Sequence, residues 1–121
     1  MKRTLLVVDD TDTCATMLEL ALHGLGDLGV ERVASAEAGM RVLAQGNVAA
    51  VITDLELPGM SGLELLAVAQ HVPVVVVSAS PDPEAEAKVL AAGASAFFPK
   101  PFSPQAIRRK MEDLLKESPN A

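Results

Sequence analysis

Four short runs of aliphatic, β-branched or aromatic residues each end on a residue that carries chemistry, and together they span nearly the whole chain. Leu5 to Val8 is followed by Asp9 and Asp10, Ala50 to Thr53 by Asp54, Val74 to Val77 by Ser78, and Ala96 to Phe98 reaches Lys100 past Pro99. Continuous apolar runs of this length mark strands of a parallel sheet, because such strands are buried on both faces. In open parallel sheets the ligand-binding groups collect at the carboxyl ends of the strands. Asp9, Asp10, Asp54, Ser78 and Lys100 are therefore expected along one edge of one sheet.

The intervening stretches are patterned as helices. The first is expected to be capped by Asp12 or Thr13 and to run to about Gly24, with Met17, Leu18, Leu20, Ala21 and Leu25 as its apolar face. Val30 to Ala34 is a more polar second strand, suited to a sheet edge. Ser35 caps a second helix over 37–44, and Ser61 with Glu64 three positions on resembles a capping box opening a third. Leu63, Leu65, Leu66, Val68 and Ala69 spread around that third helix, which predicts burial on more than one side. Ser80 to Pro83 opens a fourth helix that stops at Gly93. Ser103-Pro104 opens a fifth, with Ile107, Met111, Leu114 and Leu115 on one face, ending near Glu117. Five β–α units with short connections give an α/β domain, a five-stranded parallel sheet with helices on both faces. Periodicity alone leaves the strand order open.

Composition narrows the class. A chain of 121 residues, 50% hydrophobic, is sized for one domain. It has no Trp or Tyr and three Phe, so the core is built from Val, Leu, Ala and Met, and stacking on nucleic-acid bases is not expected. The net charge of −6 opposes attraction to phosphate backbones. The single Cys14 cannot form an internal disulfide and reads as packing, which fits a reducing compartment. No apolar run approaches the roughly 18 residues of a membrane span, and the four apolar residues before Asp9 are too few for a signal peptide. The expectation is a cytoplasmic protein without a membrane partner. His23 and His71, near helix ends, read as solvated, and Glu84, Glu86 and Lys88 as an exposed charged face.

Two carboxylates about 4 Å apart repel by roughly 4 kcal/mol at an effective dielectric near 20, so three gathered at one edge need counter-charge. Lys100 offsets part of it, and a hard divalent cation such as Mg2+ is the natural remainder. A cation, an ammonium and a hydroxyl around one carboxylate form the charge clamp that phosphoryl transfer requires. An aspartate can be the attacking nucleophile and become an acyl phosphate. Asp54 is the candidate, because it stands alone on a central strand while Asp9 and Asp10 form a pair suited to metal.

Asp9-Asp10, the segment Asp54-Leu-Glu-Leu-Pro-Gly-Met-Ser-Gly62, Ser78-Ala79, Ala91 to Ala94 and Lys100-Pro101-Phe102, in this order and spacing, resemble the receiver (CheY-like) domain of two-component response regulators. The resemblance covers about residues 3–117 and leaves 118–121 as a tail or the start of a linker. It implies the flavodoxin-like strand order 2-1-3-4-5. It implies a signalling switch, not an enzyme, in which Asp54 accepts a phosphoryl group from a histidine kinase or a histidine phosphotransfer protein. Asp10 would bind Mg2+ directly and Asp9 mainly through water, with Asp54 and the backbone carbonyl of Glu56 as further ligands. Ser78 would hydrogen-bond the phosphoryl group, Lys100 would pair with it, and Lys100-Pro101 would be a cis peptide. Phe97 falls at the aromatic switch position, whose ring moves inward and alters the face of the fourth helix, fifth strand and fifth helix, whereas Phe98 is expected to be plain core. Glu56 and Ser80 fall at the positions that tune the lifetime of the aspartyl phosphate. Partners would be the phosphoryl donor and a downstream protein target or fused output domain, and phosphorylation-dependent homodimer formation stays open. No output domain fits within this length.

Two rival readings are also compatible with parts of the sequence. One is a receiver-like module that binds partners without phosphate. The other is a haloacid-dehalogenase-type phosphatase, suggested by Asp10-Thr-Asp12-Thr13, in which Asp10 would attack and Asp12 would serve as acid and base; the further acidic pair such enzymes need does not follow the fourth strand.

Overall fold

The apolar runs form five parallel strands of one sheet, β1 (Thr4–Val8), β2 (Gly29–Val33), β3 (Val48–Asp54), β4 (Val74–Ser78) and β5 (Ala96–Pro99), in the order β2-β1-β3-β4-β5. This computed structural model describes residues 3–80 and 82–117, so the tail expected at 118–121, and Pro81 within the predicted opening of the fourth helix, lie outside the described residues. Between the strands run α1 (Asp12–Leu22), α2 (Ala36–Ala44), α3 (Gly62–Val68) and α4 (Ala85–Ala91), and α5 (Pro104–Glu117) follows β5.

Side chains alternate across a strand with a period of two, and the core splits accordingly. Leu5, Val7, Ala50, Ile52, Val75 and Val77 pack against Leu18 and Leu22 of α1 and Ile107 and Met111 of α5. Leu6, Val8, Val51, Val74 and Val76 face the other way, against Val42 and Leu43 of α2, Leu65 and Leu66 of α3 and Val89 of α4. All seven residues of β3 are buried, as befits the central strand, while β2, with Glu31 exposed, is the polar edge its sequence predicts.

Four local expectations need correction. The residue preceding α1 is Thr11, with no side-chain cap, and the helix ends at Leu22, short of Gly24. Its buried face is Cys14, Ala15, Leu18 and Leu22, whereas Met17 is 39% and Leu20 72% exposed. Leu20 lies roughly 200° around the helix from Leu18, so both cannot face the sheet. α3 buries Leu65 and Leu66 on one side and leaves Leu63 and Val68 exposed, so the burial on several sides expected of it is absent. α4 begins at Ala85, later than Ser80–Pro83 suggested: the Ser80 hydroxyl accepts from the Asp82 N–H (3.2 Å) and the Asp82 carboxylate from the Glu84 N–H (2.9 Å). Such side-chain turns compete with helical bonding. The caps at Ser35 and Ser61 do form, accepting from the N–H groups of Ala38 (3.1 Å) and Glu64 (3.4 Å).

Arg108 of α5 donates to the carbonyls of Ala21 (2.9 Å) and His23 (2.8 Å), binding unpaired carbonyls at the end of α1. Ile107 beside it is fully buried. Ile107→Ala should lower the unfolding free energy by about 2–4 kcal/mol, read as a lower urea midpoint with an unchanged slope.

Candidate functional site

Register brings the strand ends level. Val8 pairs with Thr53, Asp54 with Val77, and Ser78 with Pro99. The residues beyond each end are held by the continuing ladder: the N–H of Asp9 donates to Val33 (3.0 Å), that of Leu55 to Val77 (2.9 Å), and that of Lys100 to Ser78 (2.8 Å).

Asp54 continues the alternation of Ala50 and Ile52 and is 4% exposed. Its Oδ2 accepts from Lys100 Nζ at 2.7 Å and its Oδ1 from the N–H of Glu56 at 3.1 Å. Burial pushes the carboxyl above its ordinary value, against the lowering pull of Lys100 and the Glu56 N–H. Burial alone would lower the Lys100 ammonium, but its bond to Asp54 and the charge of Asp9 outweigh that and raise it.

Asp9 is 0% exposed. Its Oδ1 accepts from the N–H of Thr11 at 2.8 Å; its Oδ2 accepts no hydrogen bond and lies 3.7 Å from Lys100 Nζ. Asp10 is exposed, at the mouth of the pocket. Oxygens of Asp9, Asp10 and Asp54 lie within 4.8 Å of one another. Three hard carboxylate donors, one with an orphaned buried oxygen, fit a divalent cation such as Mg2+.

Ser78 is 2% exposed. Its hydroxyl donates to Glu56 Oε2 at 2.7 Å and accepts from the N–H of Ser80 at 2.9 Å, and the N–H of Ala79 donates to Glu56 Oε1 at 3.3 Å. Ser78 is thus engaged by Glu56 and not by the Asp54–Lys100 pair. Phe97 is half-buried against the α2–α3–α4 side of the core and Phe98 against the α1–α5 side. The Lys100–Pro101 peptide bond is cis. Asp12, needed by the phosphatase reading, is exposed and ion-paired with Arg32.

Four residues contribute in ways the sequence reading did not give. Thr53, buried, donates its hydroxyl to the Asp54 carbonyl at 2.9 Å. Cys14 packs as expected, but it borders Asp9: burial first, then that carboxylate, pushes its thiol up to about 12. Gly62 opens α3 directly over Asp54. A Cβ there would overlap the Asp54 carbonyl oxygen and sit 3.0 Å from Leu55 Cα. Gly59, at φ +75°, turns the loop that returns to it. Both glycines stand in the segment from Asp54 to Gly62, so a signal was present, but their roles depend on backbone contacts.

A family model for the response regulator receiver domain matches residues 5–112. The chemotaxis protein CheY of Pseudomonas aeruginosa is 31% identical over 121 residues, covering 93% of this chain and 95% of that protein. A CheY homolog of Campylobacter jejuni is 32% identical over 118 residues, covering 92% and 91%. Among solved structures, a CheY-like response regulator receiver domain protein from Methanospirillum hungatei JF-1 matches with a TM-score of 0.85 at 26% identity, over 97% of this chain and 96% of that one.

The geometry yields two expected outcomes. An acid whose folded pKa is raised contributes stability while protonated and loses it as pH climbs through that pKa. In the absence of divalent cations, Asp54→Asn should therefore melt about 2–6 °C above wild type at pH 7. The gap should shrink below the ordinary carboxyl value of 3.8, and the same change at exposed Asp10 should do less. Gly62→Ala, with backbone as its obstacle, should cost about 1–3 kcal/mol in chemical denaturation.

Proposed function

Because the chain belongs to the response regulator receiver family, we propose that it is a phosphorylation-dependent signalling switch in which Asp54 accepts a phosphoryl group from a histidine kinase or histidine phosphotransfer protein. The observation that carries this reading is the buried Asp54 carboxylate, fixed at both oxygens by Lys100 and the Glu56 N–H and bordered by Asp9 and Asp10. A carboxylate held in this way has little orientational freedom left to lose when it attacks.

In the transfer, an Asp54 oxygen bonds to phosphorus as the P–N bond of a phosphohistidine breaks, and the electron pair leaves with the imidazole. A divalent cation such as Mg2+, held by Asp9, Asp10, Asp54 and the backbone carbonyl of Glu56, would neutralise charge on the phosphoryl oxygens. Asp54 loses its own charge on acylation, so the Lys100 ammonium, now 2.7 Å from it, passes to a phosphoryl oxygen. Ser78 donates its hydroxyl to another. Phe97, which pairs with Val76 two residues before Ser78, then changes its packing, and the α4–β5–α5 face changes partner affinity. A few kcal/mol of differential stabilisation suffices for such a shift. Glu56 and Ser80 tune the lifetime of the acyl phosphate. The receiver unit is residues 3–117. Its partners are the phosphoryl donor and a downstream protein or fused output domain, in the cytoplasm, without direct nucleic-acid contact by this domain. Among the described residues no helix is long and apolar enough to cross a membrane.

Intact-mass analysis after incubation with acetyl phosphate and Mg2+ tests the reading. One phosphoryl adduct, dependent on Mg2+ and absent from Asp54→Asn, is expected. No adduct under rapid quench, together with no binding of beryllofluoride, would turn the reading to a phosphate-independent interaction module.

A further inference from the structure

The buried Ser78 hydroxyl has one proton, and that proton is given to Glu56 Oε2 at 2.7 Å. The Ala79 N–H, the next donor at the end of β4, points to the other oxygen of the same carboxylate at 3.3 Å. Glu56 thus occupies, as an anion, two donors beside Asp54, and its own N–H simultaneously orients Asp54. A hydroxyl cannot donate to two acceptors at once. A phosphoryl oxygen on Asp54 and the Glu56 carboxylate are therefore alternatives for the Ser78 proton.

We propose that Glu56 is an internal latch: its carboxylate stands in for a tetrahedral oxyanion on Ser78 and Ala79, holds the unphosphorylated state, and must be expelled before the phosphoryl group can recruit Ser78. This rests on the reading of Asp54 as the acceptor and adds a threshold to it. Ser78 is never without an acceptor, because a buried hydroxyl without one is costly; the switch exchanges one anion for another. The released side chain has room to leave. A groove of about 440 Å³ opens between Glu56 and α4, lined by Leu57, Ser80, Lys88 and Val89. Lys88, at present paired with Asp82 at 2.9 Å, offers a cation on its far side.

The consequence is that shortening Glu56 favours the phosphoryl-bound state even when its charge is kept. Aspartate is one methylene shorter and cannot span to Ser78, so Glu56→Asp removes reach alone, and Glu56→Ala removes reach and charge. Calorimetric titration with beryllofluoride in Mg2+ should show both variants binding about three- to tenfold more tightly than wild type, the scale of one charge-assisted hydrogen bond partly exposed to water. In the ligand-free proteins, the Ala79 amide resonance should shift in both. Tightening in Glu56→Ala with wild-type affinity in Glu56→Asp would assign the effect to bulk charge and overturn the latch, as would equal affinities throughout. Wild type that binds no beryllofluoride at all would instead overturn the Asp54 reading and, with it, the exclusion argued from it.

Discussion

Asp9 and Asp54 close two neighbouring strands, β1 and β3, with their carboxylates almost wholly withdrawn from water, and the ammonium of Lys100 stands between them, 3.7 Å from one and 2.7 Å from the other. One cation for two buried anions leaves the pocket short of positive charge, and the shortfall is visible twice. Burial raises the Asp54 carboxyl despite its lysine, and Asp9 Oδ2 is left without a hydrogen bond. Backbone N–H groups of Thr11 and Glu56 supply what neutral donors can. Stability alone would favour an apolar pair here. The pocket is instead arranged to gain from whatever brings positive charge, or from chemistry that removes negative charge from Asp54.

The sheet explains why the charges meet at this place. Its strands are apolar throughout their inner length, so ionic groups can stand only at the ends, and the order β2-β1-β3-β4-β5 sets the ends of β1, β3, β4 and β5 side by side. The loops must then return at once without covering Asp54. Gly59 gives the turn its positive φ, and Gly62 lets the start of α3 lie against the Asp54 carbonyl.

Strand ends and the residues that follow them were legible in the sequence because both are local: an apolar run, then a charge. Helix faces were less so. Apolar residues surround α1 nearly completely, and nothing local says that Leu18 and Leu22 face the sheet while Met17 and Leu20 meet solvent. The start of α4 was misplaced because Ser80 and Asp82, read as helix openers, fold back on the backbone ahead of it. The strand order needed the family resemblance. The bond from Ser78 to Glu56 joins residues 22 apart, and no pattern of types along the chain distinguishes it from two solvated side chains.

Movement costs least where the fewest buried contacts hold an element, and here the two sides of the sheet differ. α5 is bound to α1 through Arg108 and buries Ile107 and Met111 completely. α4 is seven residues long and buries only Ala85 and Val89, and β5, four residues at the sheet edge, pairs with β4 alone. Few buried contacts and an edge position mark the elements that open most readily. Both adjoin Ser78: β5 through the bond from the Lys100 N–H to the Ser78 carbonyl, and α4 through the Ser78, Ser80 and Asp82 turns that precede it. A change in what Ser78 donates to is therefore felt first by the least anchored part of the fold, while the side that carries α1 and α5 holds Asp9 and Asp54 in register.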